Sequence, residues 1–338
     1  MSHAATPPNG PRLRIGIAGA GHFGRYHALK VAASERATLV GIHDPDEERA
    51  RTVGWEAGAP EMAFAALLDA SEAIIVAAPA EAHHALAAAA LAAGRHVLVE
   101  KPIAATLAEA DALSRLAQER NLVLQVGHLE RFSAAYRALA GRAGAPLYIE
   151  AARIAPFKPR GTDVSVILDL MIHDLDLILA LVDSPIESVD AVGAAVASPH
   201  EDIANARIRF ASGAVATITA SRISPRTERR MRIFGQNGYV AVDFANRSLT
   251  MVGRDGTLPA GARAVPGVAG FAMAEASWED HDSLAAEHAA FVAAVLDGAP
   301  VVVDAAAGRR ALAAALAVGA AMTEARARMQ ASGLMLPS

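Results

Sequence analysis

One short glycine motif restricts the fold of this chain more than any other feature. The apolar run Leu13–Ala18 leads into Gly19-Ala20-Gly21-His22-Phe23-Gly24, and a helical pattern follows to about Ser34. These glycines allow a tight turn and let the backbone approach a pyrophosphate at the helix N-terminus. We therefore expect Gly19, Gly21, His22, Phe23 and Gly24 to bind a dinucleotide, with a plain glycine turn as the alternative.

An acidic residue stands where a dinucleotide site needs one. The next predicted strand ends in Asp44, twenty residues after Gly24. A carboxylate there can accept hydrogen bonds from the ribose hydroxyls and would repel a 2′-phosphate. The sequence favours NAD over NADP, although Arg49 and Arg51 are close enough along the chain to leave NADP open.

Strand-like runs alternate with helical stretches as far as residue 126. Such repeats indicate a doubly wound parallel sheet, which binds ligands at the carboxyl ends of its strands. Glu100-Lys101-Pro102 follows one such strand, and the proline ends the pairing there. A partly desolvated lysine can exchange protons near neutral pH, so Lys101 is a catalytic candidate. The alternative is a solvated glutamate–lysine pair.

The stretch Ile167–Leu179 (ILDLMIHDLDLIL) carries polar residues on an apolar helix. Asp169, His173 and Asp176 stand at i, i+4 and i+7, which is one face of an α-helix. A helix that is apolar nearly all round is buried, and a buried carboxylate needs a partner or a polar cavity. Asp174 breaks this pattern and is expected at the edge of the helix. A structural aspartate–histidine pair is the alternative to a catalytic one.

Composition and charge exclude several classes of protein. The net charge of −5 does not favour a nucleic-acid or anionic-membrane partner, and without cysteine there is no disulfide or thiolate site. No metal site is expected, because His83 and His84 are adjacent and do not share a helix face. The apolar run Ala311–Met322 is shorter than the ~20 residues of a membrane span, so a cytoplasmic protein is expected.

Four segments together resemble one family. GAGHFG, APAEAHHA, AAGRHVLVEKP and DLMIHDLDL occur here in the order typical of the Gfo/Idh/MocA family of NAD(P)-dependent sugar oxidoreductases. The resemblance implies that Lys101 lies at the nicotinamide and substrate and that Asp169 and His173 complete the catalytic set. It also adds Pro79, His83 and Glu100 to the residues expected at the cofactor.

The resemblance implies an N-terminal Rossmann domain and a C-terminal α+β domain. The expected division is a flexible tail at 1–11, the NAD-binding domain at 12–130 and a substrate and oligomerisation domain at 131–338. Strand-like runs with short turns predict an open, mostly antiparallel sheet in the second domain. By family resemblance this sheet would form a homodimer or homotetramer.

Basic segments point to the substrate. APFKPRGTD, GHLERF and SRISPRTERRMRIFG resemble the branch of UDP-N-acetylglucosamine 3-dehydrogenases. Because arginine binds phosphate bidentately, a nucleotide sugar is the expected substrate. The residues expected to bind it are His128, Arg131, Lys158, Arg160 and Arg222. A salt-bridged surface remains the alternative for these basic residues.

Four activities remain open at this point. They are oxidation of a nucleotide sugar, oxidation of a free polyol such as inositol, recycling of a tightly held cofactor between two sugars, and non-catalytic sensing of a sugar or cofactor. His173 is the preferred base because its ordinary pKa of about 6.5 suits neutral pH. The sequence does not separate it from Lys101 in that role.

Overall fold

The computed structural model describes residues 10–139, 142, 144–158, 164–254, 257–279 and 281–334. They divide into two compact units, one that ends at Phe132 and resumes over Asp282–Arg309, and one that holds Ser133–His281 and the chain from Arg310. The first break is close to the expected boundary after residue 130. Residues 282–309, expected in the second domain, instead pack with the first unit, where Phe291 and Val292 join the core around Ile15. An apolar helix pattern does not reveal which core it enters.

The first unit is the expected parallel sheet with helices. Its strands are β1 (Leu13–Ala18), β2 (Ala37–His43), β3 (Ala73–Val76), β4 (His96–Glu100) and β5 (Leu124–Gly127). Its helices are α1 (His22–Ala32), α2 (Glu47–Ala57), α3 (Phe64–Ala70), α4 (Ala80–Ala92), α5 (Leu107–Glu119) and α8 (Ser283–Leu296). The strands lie in the order β2-β1-β3-β4-β5, so the winding reverses between β1 and β3. Sheets of this type bind ligands at that point.

Local signals explain two helix ends in this unit. Thr106 and Glu109 form a reciprocal capping box at the start of α5, and Gly94 takes φ +76° after α4, as the sequence predicts. Helices α2 and α3 were not predicted. Only Ala50, Val53 and Gly54 of α2 and Leu67 of α3 are buried, so neither helix carries an apolar stripe long enough to recognise.

The second unit confirms the expected open sheet. Its helices are α6 (Ala134–Leu139), α7 (Ile172–Leu181), which a π-helical turn at Ile167–Met171 precedes, and α9 (Ala305–Ala331), which crosses the break after Arg309. Its strands are β6 (Tyr148–Ile154), β7 (Ile186–Ala194), β8 (Ile203–Phe210), β9 (Val215–Ser221), β10 (Glu228–Gly235), β11 (Gly238–Asp243), β12 (Ser248–Arg254), β13 (Arg263–Ala264) and β14 (Phe271–Ser277).

These nine strands are antiparallel apart from the β6–β9 pair, in the order β13-β14-β12-β11-β10-β6-β9-β8-β7. Burial alternates along β6 and β9, so one face of the sheet enters the core. Strands β12 to β14 were not predicted. The alanine-rich sequence of β14, FAMAEAS, carries no β-branched residue, which explains why β14 in particular was not predicted.

Helix α9 is long and apolar enough to cross a membrane by length and composition, at 27 residues and a mean hydropathy of 1.2 over its best window. The apolar run on which the sequence expectation relied is only part of this helix. Half of that window is buried, and Ala311, Ala314, Ala315, Val318 and Met322 belong to the core of the second unit. The apolar face of α9 is therefore used in packing.

Candidate functional site

Each of the three motif positions is occupied by glycine for its own physical reason. Gly19 takes φ +105°, and a Cβ there would lie 2.5 Å from the carbonyl oxygen of Ala77. A Cβ at Gly24 would lie 1.9 Å from the carbonyl oxygen of Gly19, whereas one at Gly21 would meet no atom within 4 Å. Gly19 and Gly24 are thus required by contacts within the protein. Gly21 leaves open space at the N-terminus of α1, which fits a bound pyrophosphate.

Asp44 lies at the carboxyl end of β2 and points back to the glycine loop. Its Oδ2 accepts the N–H of Ala20 at 2.7 Å, and its Oδ1 accepts the N–H of Asp46 at 2.9 Å and a guanidinium N–H of Arg49 at 2.6 Å. Burial opposes its ionisation, but these donors outweigh burial and lower the pKa of Asp44. A fixed carboxylate next to the loop fits a ribose-binding role.

His83 holds the turn that carries Lys101. From α4, its Nδ1 lies 2.7 Å from the carbonyl oxygen of Pro102 and its Nε2 lies 2.8 Å from that of Ala78. His83 therefore ties the end of β3 to the Lys101–Pro102 turn, whose peptide bond is cis. Pro79 is exposed at the N-cap of α4.

The polar stripe of the second unit is not on one regular α-helix. Asp169 lies within the π-helical turn, and His173 lies in the first turn of α7. A π-helix turns less per residue than an α-helix, so the expected i, i+4 alignment of these two residues does not apply directly. Both side chains are half-buried, whereas Asp176 is buried. π-Helical turns are frequent at functional sites.

The expectation that Asp174 lies at the edge of the helix is wrong. It is buried and paired with Arg153 of β6, whose Nε and Nη2 donate to its two carboxylate oxygens at 2.9 and 3.0 Å. A bidentate pair of this kind fixes both position and orientation. Asp174 therefore has a structural role, in which it attaches α7 to β6.

The expected substrate residues have varied surroundings. His128 is buried after β5, Arg131 is half-buried in a 3₁₀ turn at Leu129–Phe132, and Lys158 is exposed after β6. Arg160 lies outside the described residues. Arg222 is buried: its Nε donates to Asp202 at 2.9 Å, and its terminal nitrogens donate to the Val164 carbonyl and the Ser198 hydroxyl. That geometry favours a structural role over the expected contact of Arg222 with substrate.

Two arginines of the same segment support the salt-bridged alternative. Arg230 pairs with Glu228 at 3.0 Å, and Arg232 pairs with Glu150 of the adjacent strand β6. Both arginines are partly exposed, and exposed ion pairs of this kind contribute little to stability. Their charges are therefore already balanced at the surface of the sheet.

The sequence reasoning missed a group of buried polar residues. His27 of α1 and Glu287 and His288 of α8 are buried in the first unit, next to Glu100. One signal was available for His27, which stands beside Ala28 and four residues before Val31 on the buried face of α1. Arg153 could have been found similarly, since it shares the inward alternation of Ile149 and Ala151.

Comparisons with known proteins agree with this geometry. Residues 13–128 match the model of an oxidoreductase family with an NAD-binding Rossmann fold, and residues 134–241 match the C-terminal domain of the same Gfo/Idh/MocA family. A UDP-N-acetylglucosamine 3-dehydrogenase from Acidithiobacillus ferrooxidans is 43% identical, over 92% of this chain and 97% of that protein. A scyllo-inositol 2-dehydrogenase (NAD⁺) from Bacillus subtilis is 30% identical, over 68% of this chain and 74% of that protein.

Solved structures give the same result. The structure of the Acidithiobacillus ferrooxidans enzyme matches with a TM-score of 0.85 at 44% identity, over 92% of this chain and 97% of that chain. A scyllo-inositol dehydrogenase from Lactobacillus casei with bound NAD(H) and scyllo-inositol shares the fold at 22% identity and a TM-score of 0.75, over 93% and 97% of the two chains. The chain therefore belongs to the Gfo/Idh/MocA family and is an NAD-dependent oxidoreductase.

Proposed function

We propose that this protein oxidises the 3-hydroxyl of UDP-N-acetylglucosamine with NAD. The observation that carries the proposal is the 43% identity to an enzyme of that name over nearly the full length of both chains. The inositol dehydrogenases align over a smaller share of this chain, so oxidation of a free polyol is the second candidate.

The first unit would bind the cofactor. The open backbone at Gly21 and the N-terminus of α1 would hold the pyrophosphate, with His22 and Phe23 beside it, and Asp44 would hold the ribose. Pro79, His83, Glu100 and Lys101 would line the nicotinamide end. When bound, NAD accepts a hydride from the sugar carbon.

The second unit would supply the base. His173 would take the proton of the sugar hydroxyl, and Asp169 would orient the imidazole and stabilise its cation. Lys101 of the first unit would donate a hydrogen bond to the same oxygen and so stabilise developing negative charge. The reverse assignment, with Lys101 as the base, predicts a different pH dependence of kcat/KM.

Basic side chains would hold the diphosphate of the substrate. Lys158 is exposed in the segment before the π-helical turn, and Arg160 follows it in the sequence. Arg131 and His128 follow β5, at the carboxyl edge of the parallel sheet where ligands of such sheets bind. We leave Arg222 out of this set because its guanidinium is bonded within the protein.

We infer further that the protein is cytoplasmic and forms a homodimer or homotetramer through the large sheet. On β8 the side chains of Ile203, Arg207 and Arg209 are exposed while Ala204, Ala206 and Ile208 are buried. One face of the sheet is thus left for a partner subunit. Sedimentation of the purified protein would test the subunit number.

The deciding experiment follows NADH formation by the purified protein with UDP-N-acetylglucosamine, UDP-glucose and myo-inositol in turn. We expect turnover with the first, because the relative that is 43% identical over nearly the full length of both chains is a UDP-N-acetylglucosamine 3-dehydrogenase. Activity with myo-inositol alone would replace this proposal with the polyol function. Tight NAD binding without turnover on any of the three would support a cofactor sensor.

A further inference from the structure

Four buried titratable side chains form a cluster that includes Glu100, the neighbour of Lys101. Of the four, the proposed chemistry uses only Glu100. His27 of α1 and Glu287 of α8 are 0% exposed, His288 of α8 is 5% exposed and Glu100 of β4 is 8% exposed. Burying ionisable groups costs several kcal/mol unless they are hydrogen-bonded or neutral. All four belong to the first unit, so their contacts are internal to it.

Hydrogen bonds connect three of these groups. His27 Nε2 lies 2.9 Å from Glu100 Oε1, and His27 Nδ1 lies 2.7 Å from His288 Nε2. Burial opposes the ionisation of Glu100, but the bond from His27 and the charges of Lys101 and His83 lower the pKa of Glu100 below its ordinary value. As a carboxylate, Glu100 accepts, so His27 Nε2 carries the hydrogen.

His288 holds the other ring nitrogen of His27. His27 Nδ1 and His288 Nε2 share one hydrogen at 2.7 Å, so each ring orients the other whichever of the two nitrogens donates. Burial, followed by the neighbouring His27, holds the pKa of His288 well below its ordinary value, and His288 is therefore neutral at pH 7. The two rings are stacked, with centroids 5.0 Å apart. Hydrogen bonds thus link His288, His27 and Glu100 in that order.

A metal site is the competing interpretation of the same cluster. Potential ligand atoms of His27, Glu287 and His288 all lie within 4.8 Å of one another. Two nitrogen ligands of a tetrahedral zinc ion, each at about 2.0–2.1 Å from it, are about 3.3 Å apart. The distance of 2.7 Å between His27 Nδ1 and His288 Nε2 is that of a direct hydrogen bond. Burial also raises the pKa of Glu287, which makes it a neutral acid and a poor ligand.

Glu100 is held from several sides. Its second oxygen accepts the backbone N–H of Lys101 at 3.3 Å, and a Cβ at Gly127 would lie 3.0 Å from its carboxyl carbon. His83 binds the next carbonyl, that of Pro102. The titratable groups that face Glu100 are His27, His83, Lys101 and Glu287. The carboxylate therefore has a fixed place beside the lysine.

We propose that His27 and His288 are positioning residues that keep Glu100 ionised and fixed next to Lys101. A fixed carboxylate favours the ammonium form of a neighbouring lysine, which is the form that donates a hydrogen bond to a substrate oxygen. This inference rests on the proposed role of Lys101. It assigns a purpose to the buried histidines, which touch neither substrate nor reacting atoms in the proposed mechanism.

The first test is the pH dependence of kcat/KM for NADH formation with UDP-N-acetylglucosamine. Without its donor, Glu100 in His27→Ala should remain protonated to higher pH, by about one to two pH units. Because a neutral Glu100 holds Lys101 less firmly, this protonation should add to that of the base His173 and move the acid limb up. His27→Gln retains an N–H donor and should restore much of the profile. His288→Phe keeps the stacked ring but removes the bond to His27, so a smaller shift in the same direction is expected. His84→Ala, a half-buried histidine on α4, is the control.

The second test needs no turnover and no altered fold. Nitrogen-15 NMR of histidine-labelled, NAD-free wild-type protein should show hydrogen on Nε2 of His27, where the ring donates to Glu100. A His27 ring without hydrogen on Nε2, or stoichiometric Zn²⁺ binding that depends on His288, would overturn the proposal that these two histidines position Glu100. A wild-type acid limb in His27→Ala would do the same while leaving the role of Lys101 intact. Near-normal turnover in Lys101→Ala would instead refute the proposed function of the lysine.

Discussion

The carboxylate of Asp174 receives two hydrogen bonds from the guanidinium of Arg153, at 2.9 and 3.0 Å, with both side chains buried. This pair attaches α7 to the central region of the large sheet. His173 directly precedes Asp174 and Asp169 lies five residues before it, so the pair fixes the helical segment that carries both side chains.

Breaking this pair should destabilise the second unit. Asp174→Leu leaves a buried guanidinium without its partner, which costs about 3–5 kcal/mol in free energy of unfolding. The double variant Arg153→Met/Asp174→Leu removes both charges and should recover most of that loss. Urea unfolding measures both effects. Arg230→Met, which breaks the exposed pair with Glu228, should change stability by less than about 1 kcal/mol.

The motif glycines should separate folding from cofactor binding. Gly24→Ala places a methyl group 1.9 Å from the Gly19 carbonyl oxygen and should lower the melting temperature. Gly21→Ala meets no protein atom within 4 Å, so the fold should persist while the Kd for NAD rises at least about tenfold, or about 1.4 kcal/mol. Thermal melting and NAD titration measure the two effects. Unchanged NAD affinity in Gly21→Ala would place the pyrophosphate elsewhere.

Asp44 should control the choice between NAD and NADP. In Asp44→Ser the guanidinium of Arg49 loses its carboxylate partner and becomes available to a 2′-phosphate. The ratio of kcat/KM for NADP to that for NAD should rise by about tenfold or more, since one charge-assisted hydrogen bond contributes about 1.5–3 kcal/mol. Asp46→Ser removes the same charge nearby while keeping a good helix cap, so its ratio should stay near that of the wild type.

Replacing a member of the proposed catalytic set should reduce turnover and leave the affinity for NAD nearly unchanged. Lys101→Ala and His173→Ala should each reduce kcat by about 10²-fold or more, the usual contribution of a positioned acid or base. The Kd for NAD should change much less. Stopped-flow measurement of hydride transfer and fluorescence titration of NAD separate the two quantities. If either variant turns over at nearly the normal rate, that residue is not part of the catalytic set.

Glu287 should make stability depend on pH. Burial, followed by the negative charge of Glu100, raises its pKa well above 4.5, and within the described part of the chain neither carboxylate oxygen has a hydrogen-bond partner. The folded state then holds a proton that the unfolded state releases above that pH, so stability falls as pH rises toward the folded pKa. Glu287→Gln removes this dependence, and its stability advantage should grow as pH rises above about 5. Parallel melting curves would contradict the raised pKa, and exposed Glu119→Gln is the control.

The sequence reveals much of this molecule because its signals are local. A strand, a glycine turn and an aspartate at the end of the next strand require only short-range spacing, and the predicted β1 matches the observed Leu13–Ala18. The partner of Asp174 could not be read in the same way. Arg153 is 21 residues away, and only the inward alternation of β6 shows that it is buried.

The π-helical turn was not predicted either, because the spacing of polar and apolar residues over these thirteen residues fits an α-helix equally well. The partners of His27 lie 73 and 261 residues away along the chain. No local pattern links α1 to α8, so the buried histidines became visible only once the chain was folded.

The return of residues 282–309 to the first unit has a consequence for biosynthesis. Phe291 and Val292 fill the core beside β1, and the N–H of Val126 on β5 donates to the carbonyl of Val303. A ribosome that has made only the first 132 residues has therefore produced a nucleotide-binding sheet with part of its core missing. The sheet must therefore wait for about 150 further residues, the second unit's sheet among them, before residues 282–309 complete its core, and during that time chaperones have access to its exposed apolar surface.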